Sequence, residues 1–138
     1  MPIPPPPPGF DNLDLENIGV ESALNSGCNL FNHGHYWYAH EVWESVWKGI
    51  ESDDRYLFQG LIQFAAALHH ASHGNQHGFD KLMERAELSL KRCPANNPWL
   101  DPNDLLVLLE RVRNAAQNTP LELNQFPPPK LPTKVKDD

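Results

Sequence analysis

"DRYLFQGLIQFAAALHHASH", residues 54–73, is the stretch on which the fold turns. Leu57, Leu61, Phe64 and Leu68 recur at three- and four-residue steps, the period of an α-helix. Phe58, Ile62 and Ala65 extend that stripe most of the way round. A helix apolar on nearly all sides has to be covered on nearly all sides, so this segment is the central one. One narrow strip breaks the pattern: Gln59, Gln63 and His70, with Ala66 and Ala67 between them. Small residues let a neighbouring helix come close, and the amides and imidazole then project into the gap.

Proline sets the limits outward from this helix. Of the 14 prolines, six lie in residues 2–8 and eight fall from Pro94 onward, with none between Gly9 and Cys93. Proline lacks the amide donor and clashes with the preceding turn, so the middle of the chain is free to be helical and its ends are not. Periodicity predicts five helices. The first covers about 14–31, with Val20, Leu24, Cys28 and Phe31 on one face, and the second about 35–49. The central helix at 54–73 is followed by 76–93, with Phe79, Leu82, Met83, Ala86 and Leu90 inward. The last starts with Asp101 as N-cap and Pro102 in the first turn, and carries Leu105, Leu108, Leu109 and Val112 inward. Nothing alternates with period two. Short links between long helices predict an all-α antiparallel bundle at 13–118. Residues 1–12 are expected to be a Pro-rich extended arm and 119–138 an extended Pro-rich tail, each a spacer or a strap.

Composition narrows the function classes. A chain of 138 residues is expected to form one domain. A net charge of −7 and a pI near 5.4 argue against a nucleic-acid or anionic-membrane binder. The longest apolar run, Leu61 to Leu68, is interrupted by Gln63 and too short to span a bilayer. No charged start precedes an apolar run at the N-terminus, so no secretory signal is expected. Cys28 and Cys93 lack CxxC spacing and read as thiols of a reducing compartment. These features predict a cytoplasmic protein whose partner is a small molecule or another protein.

The chemistry is concentrated in "HGHYWYAHEVWESVWKG", residues 33–49. Helical winding puts Tyr36, His40, Trp43, Glu44 and Trp47 in one arc, opposite Glu41, Ser45 and Lys48. A carboxylate inside an aromatic face has to be protonated, hydrogen-bonded, ion-paired or bound to a cation. The i,i+4 spacing lets His40 and Glu44 reach one point. If Gln63 and His70 of the central helix face that arc, His40, Glu44, Gln63 and His70 converge. Two imidazoles and a carboxylate suit one divalent ion of zinc, iron, manganese or nickel, held between facing helices. Gln59, Gln63 and Asn75 would orient the ligands or a bound water, and Glu44 is also the candidate general base. A competing reading needs no metal. The same His–Glu pair, closed by glutamine amides and a tryptophan N–H, would satisfy every polar group and fix helix register in a non-catalytic interaction or small-ligand module. His69 and His73, four residues apart, lie on another side of the central helix and read with His77 as a solvated helix end. No GxGxxG, P-loop, GxSxG or HExxH pattern is present.

"YWYAHEVWESVW", followed by "RYLFQGLIQFAAALHHASHGNQHGFDKL", resembles the bacterial and archaeal domain-of-unknown-function 309 family. Its His-x-x-x-Glu-x-x-(Trp or Tyr) motif reads here His40, Glu44, Trp47. Its second block looks like Gln59 to Gln63, then His70 and Gly74-Asn75. The likeness runs over about 32–83. It implies an all-helical fold, a metal-binding role for the His/Glu motif and metal-dependent hydrolysis. Position 69 is histidine where the family pattern has tyrosine, which leaves His69 and His70 both open as the inward imidazole. His70 is favoured because it shares the arc of Gln63.

Overall fold

The computed structural model describes residues 3–118, and their regular structure consists of five α-helices and one short 3-10 turn. The helices are α1 (Val20–Asn32), α2 (Tyr36–Trp47), α3 (Arg55–Ser72), α4 (Gln76–Arg92) and α5 (Pro102–Asn118). The tail expected at 119–138 lies outside the described residues. Each helix packs mainly on its neighbours in sequence, and α3 shares its two largest contact surfaces with α4 and α2. The all-α expectation and the central position of 54–73 are both met. Leu57, Phe58, Leu61, Phe64, Ala65 and Leu68 are all buried, which requires cover on more than one flank of α3. No helix among the described residues is long and apolar enough to cross a membrane.

α1 begins later than the periodicity predicts. Asn17 turns back on Asp14, through its backbone N–H to the Asp14 carbonyl at 3.2 Å and its side-chain amide to the carboxylate at 2.8 Å. Asp and Asn compete for backbone partners in this way and favour turns over helix interiors. The helix starts only after Gly19, whose backbone is extended. The N-terminal arm also departs from a uniform extended strand. Gly9 turns at φ 86° and leads into the 3-10 turn Phe10–Asn12. That turn seats Phe10 edge-on against Tyr38, with ring centroids 4.6 Å apart. The Tyr38 hydroxyl donates to the Pro4 carbonyl, so the arm is tied to α2 as a strap.

The other ends follow local chemistry. Asp101 caps α5 by accepting from the Asn103 N–H at 2.9 Å, with Pro102 in the first turn. Asn75 caps α4 by accepting from the Gly78 N–H at 2.9 Å.

Two glycines set how closely the helices approach. A Cβ on Gly60 would fall 2.7 Å from Leu90, so α3 and α4 meet where α3 has no side chain. Gly27 is the tighter case. Its missing Cβ leaves room for the Trp43 indole, whose Nε1 would stand only 2.1 Å from a methyl there. Trp43 is fully buried and leans on Phe31, which also contacts Phe64 of α3, so this contact ties α1, α2 and α3 together. A rigid indole in a filled core has no room to retreat. Gly27→Ala is therefore expected to cost about 2–3 kcal/mol of stability, read as a lowered urea midpoint with an unchanged slope.

Candidate functional site

The buried face of α2 is made by Tyr36, Tyr38, Ala39, Val42, Trp43 and Val46. It is rotated by roughly a quarter turn from the expected arc. Ala39, Val42 and Val46 share this face with the larger Tyr36, Tyr38 and Trp43. His40 lies at the border, with its side chain 18% exposed, and Glu44 lies beyond it, 45% exposed. The expectation of a carboxylate buried among aromatics is thus corrected: Glu44 reaches water. The pair itself forms. His40 Nε2 is 3.0 Å from Glu44 Oε2. The other imidazole nitrogen, Nδ1, is buried and has no hydrogen-bond partner among the described residues. The nearest carboxylate to it is that of Glu41, at 3.9 Å, beyond hydrogen-bond range.

The facing helix presents a different imidazole from the one the arc argument favours. His70 turns towards α4, where its Nδ1 accepts from the Asn75 side-chain amide at 3.1 Å. Its ring packs over Gly78, whose Cβ would come within 2.9 Å of it. Gln63 turns the same way. Its amide nitrogen donates to the Arg85 carbonyl at 3.0 Å and to the Ser89 hydroxyl at 2.7 Å, bracing α3 against α4. Gln63 and His70 do share one arc of α3, but that arc looks at α4 and not at α2. The four-residue convergence of His40, Glu44, Gln63 and His70 is therefore not formed. Gln59 borders the same α3–α4 side. Tyr36 and Trp43 belong to the core, and burial pushes the Tyr36 hydroxyl up to about 12. Trp47 is half-buried, and its indole N–H has no partner among the described residues.

The imidazole that does approach His40 is His69, which is buried. Trp37 stands between the two, its ring centroid 5.1 Å from His40 and 5.2 Å from His69. The His73 ring contacts His69 at a tilt, with centroids 4.6 Å apart. The i,i+4 spacing of His69 and His73 was visible in the sequence, but the flank of α3 that carries it was read as solvated. With Pro4 and Pro5 of the strap and Ser72, the rings of Trp37, His69 and His73 line a cavity of about 160 Å³. His69 is held down at about 4, first by desolvation and then by the charges of His73, His70 and His40. It stays a neutral imidazole at neutral pH. Among the described residues no three His, Cys, Asp or Glu side chains are grouped so as to hold a metal ion. Of the residues singled out by the sequence, His40 and Glu44 are the ones the structure brings into direct contact across one turn of α2.

Residues 24–82 match the family described as Domain of unknown function (DUF309). That span includes His40, Glu44, Trp47, Gln59, Gln63, His69, His70 and Asn75, so the likeness read from the two sequence blocks is borne out. The chain is also similar to an uncharacterized protein of Aquifex aeolicus (strain VF5), at 29% identity over 90 residues. The alignment takes in 64% of this chain but only 27% of that relative's length. No solved structure matches.

The depressed His69 gives stability a definite pH dependence. As pH falls from 6.5 towards about 4, the unfolded chain takes up a proton at position 69 that the folded protein refuses. Stability therefore drops across that window and levels off below it. His69→Phe is expected to flatten this acid limb by up to about 1.4 kcal/mol per pH unit, measured by urea unfolding at a series of pH values.

Proposed function

We propose that the edge of α2 carrying His40 and Glu44 binds one divalent transition-metal ion and that the chemistry performed there is hydrolysis. The observation that supports this is the 3.0 Å separation of His40 Nε2 and Glu44 Oε2. Two donors sharing an ion through bonds of about 2.0–2.1 Å stand about 3 Å apart, so the separation is compatible with a shared ion. The second imidazole nitrogen, Nδ1, has no hydrogen-bond partner among the described residues, and the Glu41 carboxylate stands 3.9 Å from it. The fit is to an open site and not to a closed structural cage. His40 and Glu44 would hold the ion, and no further His, Cys, Asp or Glu among the described residues joins them. When bound by His40 and Glu44, such an ion would supply the Lewis acidity that hydrolysis needs.

The chain's own contribution is to shape and dry one side of that edge. Trp37 walls the site towards α3, and the neutral His69 behind it places no competing positive charge beside His40. The ligand or substrate is a small molecule or a protein segment rather than a nucleic acid or a membrane, in keeping with the overall charge of −7.

A second reading is favoured by the half-exposure of Glu44 and by the closed pairing of Gln63 with Ser89 and of His70 with Asn75. In it the His40–Glu44 pair is a helix-surface bridge and the polar residues only fix packing. Metal content separates the two. Untagged protein, loaded in turn with zinc, manganese, ferrous iron and nickel and then dialysed, is expected to retain about one equivalent of one of them. His40→Ala and Glu44→Gln are each expected to weaken retention by about tenfold or more while leaving thermal unfolding of the metal-free protein nearly unchanged. No stoichiometric metal in the wild type, or equal metal in both variants, decides for the second reading.

A further inference from the structure

On the flank of α3 away from His69, α3 and α4 enclose an open groove of about 700 Å³. Its cations are Arg85, Lys91 and Arg92, and no carboxylate is among the described residues that line it. In a chain of net charge −7 such a surplus is not what general solvation produces. Lys91 and Arg92 sit in the last turn of α4, where basic residues complement the helix dipole. Arg85 is mid-helix and has no such role. Lys91 is already paired with Glu87 at 2.9 Å, and Glu87 also meets Arg113 at 2.6 Å. Arg92 lies over the Tyr56 ring at 5.3 Å, and Arg55 lies over the same ring at 4.6 Å. Arg55 is also held by the Asp53 carboxylate and by the Glu51 and Ser52 carbonyls, so it belongs to the start of α3 and not to the groove.

We propose that this groove binds a phosphorylated small molecule, with a chain of phosphates bridging Arg85 and Arg92. Guanidinium groups present a planar fork of donors that matches phosphate oxygens in pairs. Arg85 and Arg92 are seven residues apart on α4, about 10 Å along its axis, a span for linked phosphates rather than a single one. Between them Leu88 is left 58% exposed, a bare apolar surface beside which an uncharged part of the ligand packs. The floor is polar but not charged: the Gln59 amide, with Gln63 and Ser89 already bonded to each other. The site is independent of the His40–Glu44 edge.

The test is calorimetric titration of the full-length protein with inorganic tripolyphosphate at low ionic strength, with a chelator present so that no metal site contributes. Saturable binding is expected, weakening as salt is added. The double variant Arg85→Gln/Arg92→Gln is expected to bind about tenfold more weakly or worse, with its thermal unfolding unchanged. His40→Ala is expected to bind as the wild type does, so a failure of the metal reading leaves this one standing. An exposed α5 control, Arg111→Gln, is also expected to match the wild type. No saturable binding, equal affinity in the double variant, or an equal loss in the α5 control would overturn the proposal.

Discussion

The covering of α3 from two sides is the constraint on which the rest of this structure depends. Because Leu57, Phe58, Leu61, Phe64 and Leu68 all have to leave water, α2 and α4 are both drawn onto the same helix. Every polar residue of α3 is then forced into one of the seams or onto the strip between them. On the α4 side Gly60 removes a side chain so that Leu90 fits, and Gln63 spends its amide on the Arg85 carbonyl and the Ser89 hydroxyl. On the α2 side the Trp37 ring contacts the imidazoles of both His40 and His69. The two flanks therefore carry different chemistry: amides, guanidiniums and the His70 imidazole on one, Trp37 with His40 and His69 on the other.

How much of this the sequence carried can be traced residue by residue. The central helix was legible because an apolar pattern most of the way round a helix has only one explanation. The caps were legible because they are local: Asp101 and Pro102 act on the turn they begin. The rotation of α2 was not. Tryptophan and tyrosine dominate any reading of hydrophobicity, yet the orientation of α2 also rests on small residues. Gly27 makes room for Trp43, and Ala39, Val42 and Val46 line the inner face. A quarter-turn error there moves Glu44 from interior to water. The pairing of Gln63 with His70 on one arc was right, and only the identity of the helix that meets the arc was lost. Periodicity fixes which residues share a side; it carries no information on which neighbour takes that side.

The electrostatics of the α2–α3 seam follow from this placement. Glu44, half in solvent, needs no deep compensation and is available to partner His40. His69, buried beside three other imidazoles, meets the opposite condition, and desolvation with like-charge repulsion keeps it uncharged. An acidic partner near the surface and a neutral base inside are set up by one step along each helix rather than by any dedicated loop.

The strap explains how the inner side of that seam is closed. Covering an imidazole pocket with ordinary chain would bury backbone N–H groups that need partners. Proline has none, so Pro4 and Pro5 bring only carbonyls over Trp37, His69 and His73. The Pro4 carbonyl is met by the Tyr38 hydroxyl, from the same helix that carries His40. Phe10 adds an edge contact to the same ring, and Gly9 supplies the left-handed turn that lets it do so. A polyproline stretch is thus a roof of low polar demand, and its composition is accounted for by what lies beneath it. Tyr38 holds the roof with its hydroxyl while its helix presents His40 and Glu44 outward, so the arm and the site are two consequences of one helix orientation.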